Sequence, residues 1–128
     1  MSNEYSQLND WQINQLVHNY YVCNGEFNLE FTRHSVRWIN NTYDITYKRN
    51  EAITKIGRDY FEDKIIFHII RKYKINIQWR DSVNLSPLAI HEKLIAESAD
   101  ISRAVLECYL MIKEEGNLKW ILSTQQTN

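Results

Sequence analysis

The chain is poor in the residues from which glycine-rich loops and disulfide frameworks are built. Its 128 residues include three glycines, one proline and two cysteines. The glycines are isolated, so neither a GxGxxG nor a GK[ST] motif occurs, and nucleotide binding through those loops is excluded. Cys23 and Cys108 are far apart and have no CxxC spacing, which predicts two free thiols rather than a disulfide or a zinc knuckle.

Long apolar runs are missing as well. No segment approaches the ~20 apolar residues that a membrane-spanning helix needs, and the polar start at residues 1–10 predicts no signal peptide. The composition, 44% hydrophobic over 128 residues, is enough for one buried core. We therefore expect a single cytoplasmic domain over residues 1–128, frayed at residues 123–128.

Apolar periodicity predicts an α+β fold, with about four helices packed on an antiparallel sheet of three to five strands. Three helices follow the caps Asn9, Asp59 and Asp100 and end near Tyr21, Tyr73 and Glu115. A fourth is predicted at residues 88–97, because proline after serine suits a helix start. Strands are predicted at residues 27–31, 36–45 (a hairpin), 75–79 and 118–122.

The hairpin prediction depends on which residues form its turn. Asparagine tolerates the positive φ of two-residue hairpin turns, so Asn40 and Asn41 are the predicted turn residues. The resulting register places Trp38 opposite Tyr43, Val36 opposite Ile45, and Arg37 opposite Asp44.

Catalytic and metal-binding constellations were sought and none was found in the sequence. His91-Glu92 begins like a zinc-protease helix, but Ile95 stands where the second histidine ligand is needed. The four histidines fall on different predicted elements, and His68 is predicted to be a core or boundary residue of its helix. We therefore predict no catalytic residue, no metal site and no cofactor, and a small metal-independent enzyme is the second alternative function.

The middle of the chain is basic between acidic ends, although the net charge is -1. This asymmetry favours a nucleic-acid-binding module as the first alternative function, with nearby aromatic residues to stack on bases. Against it stand a pI near 6.4 and the lack of a helix-turn-helix, RNP or zinc-finger pattern. The predicted phosphate-binding residues are Arg49, Lys55, Arg58, Arg71, Lys72 and Lys74, and the aromatic residues are Tyr43, Tyr47, Tyr60 and Trp79.

The tail alternates Leu118, Trp120 and Leu122 with other residues and is predicted to form a strand with one apolar side. That side can be covered by the chain's own sheet, which allows a monomer, or by a second copy, which gives a homodimer. An uncovered tryptophan near the end of the chain favours the dimer.

Residues 8–17, 59–77 and 102–114 together resemble the NinX-like family of small phage and prophage proteins. The opening is similar to that family's Ile-Asn-containing first helix, and the Arg-Ala-rich later helix is similar to one that closes on Met-Lys-Glu. Residues 59–65 depart from the Asn-Pro or Asp-Ala-Trp type of sequence that usually introduces the family's middle helix. The resemblance implies a phage- or prophage-derived accessory protein in a bacterial cytoplasm, without a catalytic residue to transfer. The expected function is non-enzymatic binding of a host macromolecule, with a host or phage protein as the partner.

Overall fold

The structure, a computed structural model, describes residues 4–82 and 84–123. Within these ranges four α-helices and seven strands confirm the predicted α+β class, and none of the helices is long and apolar enough to span a membrane. Of the predicted frayed tail, residues 124–128 lie outside the described ranges. The helices are α1 Asp10–Tyr21, α2 Arg49–Ile56, α3 Asp63–Tyr73 and α4 Ile101–Glu114; the strands are β1 Asn28–Phe31, β2 Ser35–Ile39, β3 Asp44–Lys48, β4 Asn76–Gln78, β5 Leu88–His91, β6 Leu94–Glu97 and β7 Trp120–Leu122.

The described residues form two compact units. The four-stranded unit comprises the described residues of Asn9–Arg58 and Gly116–Asn128, and the three-stranded unit those of Met1–Leu8 and Asp59–Glu115. One domain over residues 1–128 stays a prediction, and each unit is described by itself.

The four-stranded unit is built on a sheet in the order β3-β2-β1-β7. Its first three strands are antiparallel, whereas β7 pairs with β1 in parallel. Alternation along β1 and β2 buries one face, on which Leu29, Phe31 and Trp38 lie. Helix α1 begins as predicted, with the Asn9 N–H donating to Gln12 Oε1 at 2.8 Å.

The predicted register of the β2–β3 hairpin is wrong. Trp38 pairs with Ile45 rather than Tyr43, and Val36 pairs with Tyr47. The shift of two residues keeps every side chain on its predicted face, because the side-chain period of a strand is also two. The branched and aromatic side chains therefore still share one face of the sheet.

The turn explains the shift in register. Asn40 belongs to the hairpin stem, and its Oδ1 accepts from the Thr42 N–H at 2.9 Å, so Asn41 and Thr42 form the turn. Neither asparagine has a positive φ, which was the premise of the prediction. Asp44 therefore lies diagonally from Arg37, yet the two still form a bidentate pair with both N–O distances at 2.7 Å.

In the three-stranded unit the strand order is β4-β5-β6, with antiparallel pairs. Here the predicted helix at residues 88–97 is wrong, because these residues form the β5–β6 hairpin. Ala89 and Ala96 pair across it and are fully buried, and Glu92 turns the chain with φ 53°. Helix α4, which packs on both strands, begins as predicted with the Ser102 N–H donating to Asp100 Oδ1 at 3.0 Å.

The helix predicted after Asp59 begins later than expected. Asp59 Oδ1 accepts from the Phe61 N–H at 2.9 Å, which closes a turn, and α3 starts only at Asp63. Helix α3 buries Ile66 and Ile69, whereas Phe67 is 61% exposed. His68 is exposed too, which contradicts its prediction as a core or boundary residue. Helix α2 was not predicted.

An arginine joins the first described residues to α4 within the three-stranded unit. Arg103 Nη2 donates to the carbonyl oxygens of Tyr5 at 2.8 Å and Leu8 at 2.5 Å. Its Nε donates to Glu107 Oε2 at 2.6 Å, and Glu107 is only 2% exposed. The buried carboxylate thus has a charged partner one helical turn away.

Candidate functional site

The four-stranded unit contains a cavity of about 190 Å³, here called the aromatic cavity. It is bounded by α1, the loop before β1, strands β2 and β3 with their turn, and α2. Its lining spans positions 15 to 56, which is why sequence reasoning identified no such site. The lining residues are Gln15, His18, Cys23, Phe27, Trp38, Tyr43, Tyr47, Ala52, Lys55 and Ile56.

Aromatic rings meet edge to face around the cavity. The Phe27 ring centroid lies 5.3 Å from that of Trp38 and 5.4 Å from that of Tyr43, at interplanar angles of 76° and 75°. The hydroxyl groups of Tyr43 and Tyr47 lie 2.5 Å apart and share a hydrogen bond. Because such ring pairs prefer T-shaped contacts, the walls of the cavity are held by favourable interactions rather than by loose packing.

Phe27 is positioned by a buried asparagine of α1. Asn19 Nδ2 donates to the Phe27 carbonyl oxygen at 2.9 Å, and the Phe27 N–H donates to Asn19 Oδ1 at 3.2 Å. The loop between them turns at Gly25, whose φ is 72° and whose N–H donates to the Asn19 carbonyl oxygen at 2.8 Å. The side chain of Asn19 thus fixes one wall of the cavity.

Gln15 carries an unused pair of hydrogen-bond donors. Its Oε1 accepts from the Trp38 indole N–H at 3.2 Å. Since an indole nitrogen only donates, this contact also identifies the other amide atom as Nε2. Gln15 is 1% exposed, and its Nε2 has no partner in the described part of the chain. A buried amide without a partner costs about 1–3 kcal/mol, so an acceptor that reached this nitrogen would be favoured.

The pKa values of three cavity groups, His18, Cys23 and Tyr43, are shifted toward their neutral forms. Burial, and then the nearby Arg58, lower the pKa of His18. Burial, and then Glu26, raise the pKa of the Cys23 thiol. A nucleophilic cysteine needs the opposite shift, toward a thiolate stabilised by a protonated histidine. The hydrogen bond with Tyr47 raises the pKa of Tyr43, which therefore also stays neutral at pH 7.

The six predicted phosphate-binding residues are all exposed, but they belong to different units. Lys55 lines the aromatic cavity, and Arg49 starts the same helix. Arg58 belongs to the same unit, whereas Arg71, Lys72 and Lys74, at the end of α3 and its cap, lie in the three-stranded unit. Of the predicted stacking residues, Tyr60 is fully buried, whereas Trp79 is 70% exposed. The four-stranded unit holds Arg49, Lys55 and Arg58, and the three-stranded unit holds Arg71, Lys72 and Lys74.

Arg49 lines a second depression, here called the basic groove, with a volume of about 760 Å³. It lies between the β1–β2 turn and the start of α2. Its lining residues are Thr32, Arg33, His34, Ser35, Lys48, Arg49, Asn50, Glu51 and Ile53.

The predicted tail strand lies on the chain's own sheet. Trp120 pairs with Leu29 and is 6% exposed, and Leu122 pairs with Phe31. Leu118 precedes the strand and is 49% exposed. The apolar side of the tail is thus covered as a monomer requires, and the homodimer stays a prediction.

Cys23 and Cys108 are both free thiols, as predicted. Cys108 is buried, and burial raises its pKa to about 12 despite a hydrogen bond from the His91 backbone. Across residues 4–82 and 84–123 no three His, Cys, Asp or Glu side chains are grouped so that they could hold a metal ion. Comparison of the chain with protein-family models, curated proteins and solved structures gives no match.

Proposed function

We propose that this chain is a non-enzymatic binding protein, which captures a partner protein by taking one aromatic or bulky apolar side chain of the partner into the aromatic cavity. The observation that carries the proposal is a cavity lined by five ring-bearing side chains together with the buried Gln15, whose Nε2 has no partner in the described residues. A phenol or indole side chain would bury its apolar surface there, and a phenol oxygen would accept from Gln15.

The size of the cavity supports a single side chain as its occupant. Pockets that hold whole small-molecule ligands measure about 300–1,000 Å³. An apolar cavity of about 150 Å³ accommodates benzene. The aromatic cavity, at about 190 Å³, therefore matches one ring better than a cofactor or a metabolite.

Two further parts of the proposal have separate support. The non-enzymatic part is supported by the pKa directions of His18 and Cys23, which both favour the neutral form. The origin as a phage or prophage accessory protein of a bacterial cytoplasm is supported by the resemblance of residues 8–17, 59–77 and 102–114 to the NinX-like family.

Ring binding is tested by NMR titration of the ¹⁵N-labelled chain with p-cresol. We expect saturable shifts of the Gln15 side-chain amide and the Trp38 indole N–H, and weaker binding of toluene, which has no oxygen for Gln15. Ala52 is 1% exposed and lines the cavity, so Ala52→Leu should fill the space and abolish these shifts. Ala52→Ser, which keeps the volume, is the matched control. If p-cresol shifts neither signal, or acts equally on Ala52→Leu, the proposal is wrong.

A further inference from the structure

We infer that the captured segment is an acidic peptide, with its ring in the aromatic cavity and a carboxylate about three or four residues away in the basic groove. This inference rests on the proposed function and adds the chemistry of the partner and the spacing of its two contacts.

The aromatic cavity and the basic groove form one continuous surface along α2. A shallow stretch lined by Tyr47, Asn50, Glu51, Thr54 and Lys55 lies between them. It shares Tyr47 and Lys55 with the aromatic cavity, and Asn50 and Glu51 with the basic groove. An extended chain anchored in the cavity can therefore follow α2 to the groove.

The lining of the basic groove holds more basic than acidic side chains. Arg33, Lys48 and Arg49 are exposed and line it, at the positive end of the α2 dipole. The Arg49 guanidinium lies 6.0 Å from the centroid of the Trp11 ring, which holds it at this end of the helix. Glu51 is the one acidic residue at positions 48–58, against four basic ones. The groove is therefore complementary to a carboxylate.

The position of Glu51 favours a peptide over a nucleic acid. Glu51 lines both the shallow stretch and the groove, and its Oε1 accepts from the Lys48 N–H at 2.8 Å, so it is held on the path between the two sites. A phosphodiester chain carries a charge on every nucleotide and would be repelled there. A peptide backbone is neutral and can pass Glu51 with its own N–H groups as donors.

The length of α2 sets the expected spacing. Its eight residues rise by about 1.5 Å each, so the helix is roughly 12 Å long. An extended peptide advances about 3.3 Å per residue. The ring and the carboxylate should therefore be separated by about three or four residues.

The test uses fluorescein-labelled Gly/Ser peptides that carry one tyrosine and an Asp-Glu pair at increasing separations, on either side, with Asn-Gln peptides as neutral controls. Fluorescence anisotropy should show the tightest binding at a separation of about three or four residues, and weaker binding as salt is added. Lys48→Glu should weaken the acidic peptide by about 3- to 10-fold, because an exposed ion pair becomes a repulsion. Lys93→Glu makes the same charge change at an exposed position outside the groove and should have no effect.

The outcomes separate this inference from the proposed function. If Ala52→Leu abolishes binding but neither the Asp-Glu pair nor Lys48→Glu changes the affinity, the acidic partner is ruled out and ring capture remains. If no peptide binds although p-cresol does, the inference is also wrong. Tighter binding of a single-stranded oligonucleotide than of any peptide, weakened by Lys48→Glu, would replace it with the nucleic-acid alternative.

Discussion

Replacement of Gly25 by alanine should destabilise the protein through two separable effects. With φ at 72°, Gly25 is in the left-handed region, where an L-residue costs about 1–2 kcal/mol. A Cβ at this position would lie 2.7 Å and 2.9 Å from two ring carbons of Tyr20. Tyr20 is 9% exposed and follows Asn19, whose backbone carbonyl binds the Gly25 N–H, so neither side can move freely. Overpacking of this kind costs about 1–3 kcal/mol, which gives a total of roughly 2–5 kcal/mol.

Gly116 provides the matched control. Its φ is 80°, and a Cβ there would meet no atom within 4 Å. Gly116→Ala should therefore cost only the conformational part, about 1–2 kcal/mol. Urea unfolding followed by circular dichroism measures both variants. Equal losses of unfolding free energy in Gly25→Ala and Gly116→Ala would refute the argument from the Tyr20 contact.

The same two variants test whether the loop at Gly25 positions a wall of the aromatic cavity. Gly25 lies two residues before Phe27, which forms a wall of the aromatic cavity and is bound on both its N–H and its carbonyl by Asn19. Relief of the Tyr20 contact must move this loop, so Gly25→Ala should weaken p-cresol binding. Gly116→Ala should leave it unchanged. Retention of full affinity in a folded Gly25→Ala variant would show that the loop does not position Phe27.

Three other properties can be measured. Arg103→Met should lower the free energy of unfolding in urea by about 3–5 kcal/mol, because it leaves the buried Glu107 carboxylate without its arginine. The double variant with Glu107→Leu should recover most of that loss. A loss below about 1 kcal/mol in Arg103→Met would contradict this prediction. Cys23 should react with iodoacetamide more slowly than an unfolded thiol, and Cys108 should react only on unfolding. If the thiols react equally fast in the folded and the unfolded protein, the pKa directions are refuted. Burial lowers the pKa of His18 in the folded state, so when the pH falls below the ordinary histidine pKa of about 6.5, the unfolded state binds the proton before the folded state does. The free energy of unfolding should therefore decrease as the pH falls. His18→Gln should flatten this pH dependence, and an unchanged slope would refute the expected role of His18.

The sequence predicted best those structural features that depend on residues close together in the chain. The caps at Asn9 and Asp100 were correct because each involves side chains and amides within three positions of each other. The β2–β3 register failed because Asn40 can serve either as a turn residue with positive φ or as the acceptor that closes a turn after it. Both roles suit asparagine, and pattern alone does not choose between them.

Residues 88–97 show how tertiary contacts override local preference. Their leucines, alanines, glutamates and lysine are good helix formers, and the preceding proline suits a helix start. In the structure Ala89 pairs with both Ile77 and Ala96, and both alanines are fully buried in the unit where α4 packs on these strands. A small side chain lets a helix pack closely on a sheet. The stabilisation from this close packing depends on residues more than ten positions away in the chain. Helix propensity is a weak prior against such packing.

The aromatic cavity was beyond sequence reasoning for a related reason. In the sequence Trp38, Tyr43 and Tyr47 each match an ordinary core or stacking role, and they line one cavity with Ala52 of α2 only in the folded unit. The basic run at positions 48–80 is divided between the two units. What remains of that run in the four-stranded unit follows α2 from the basic groove to Lys55 at the cavity. This path along α2 thus has basic side chains at both ends, and the aromatic cavity at one end is lined by Gln15, whose Nε2 has no partner in the described residues. The arrangement favours a ligand with both a ring and a negative charge.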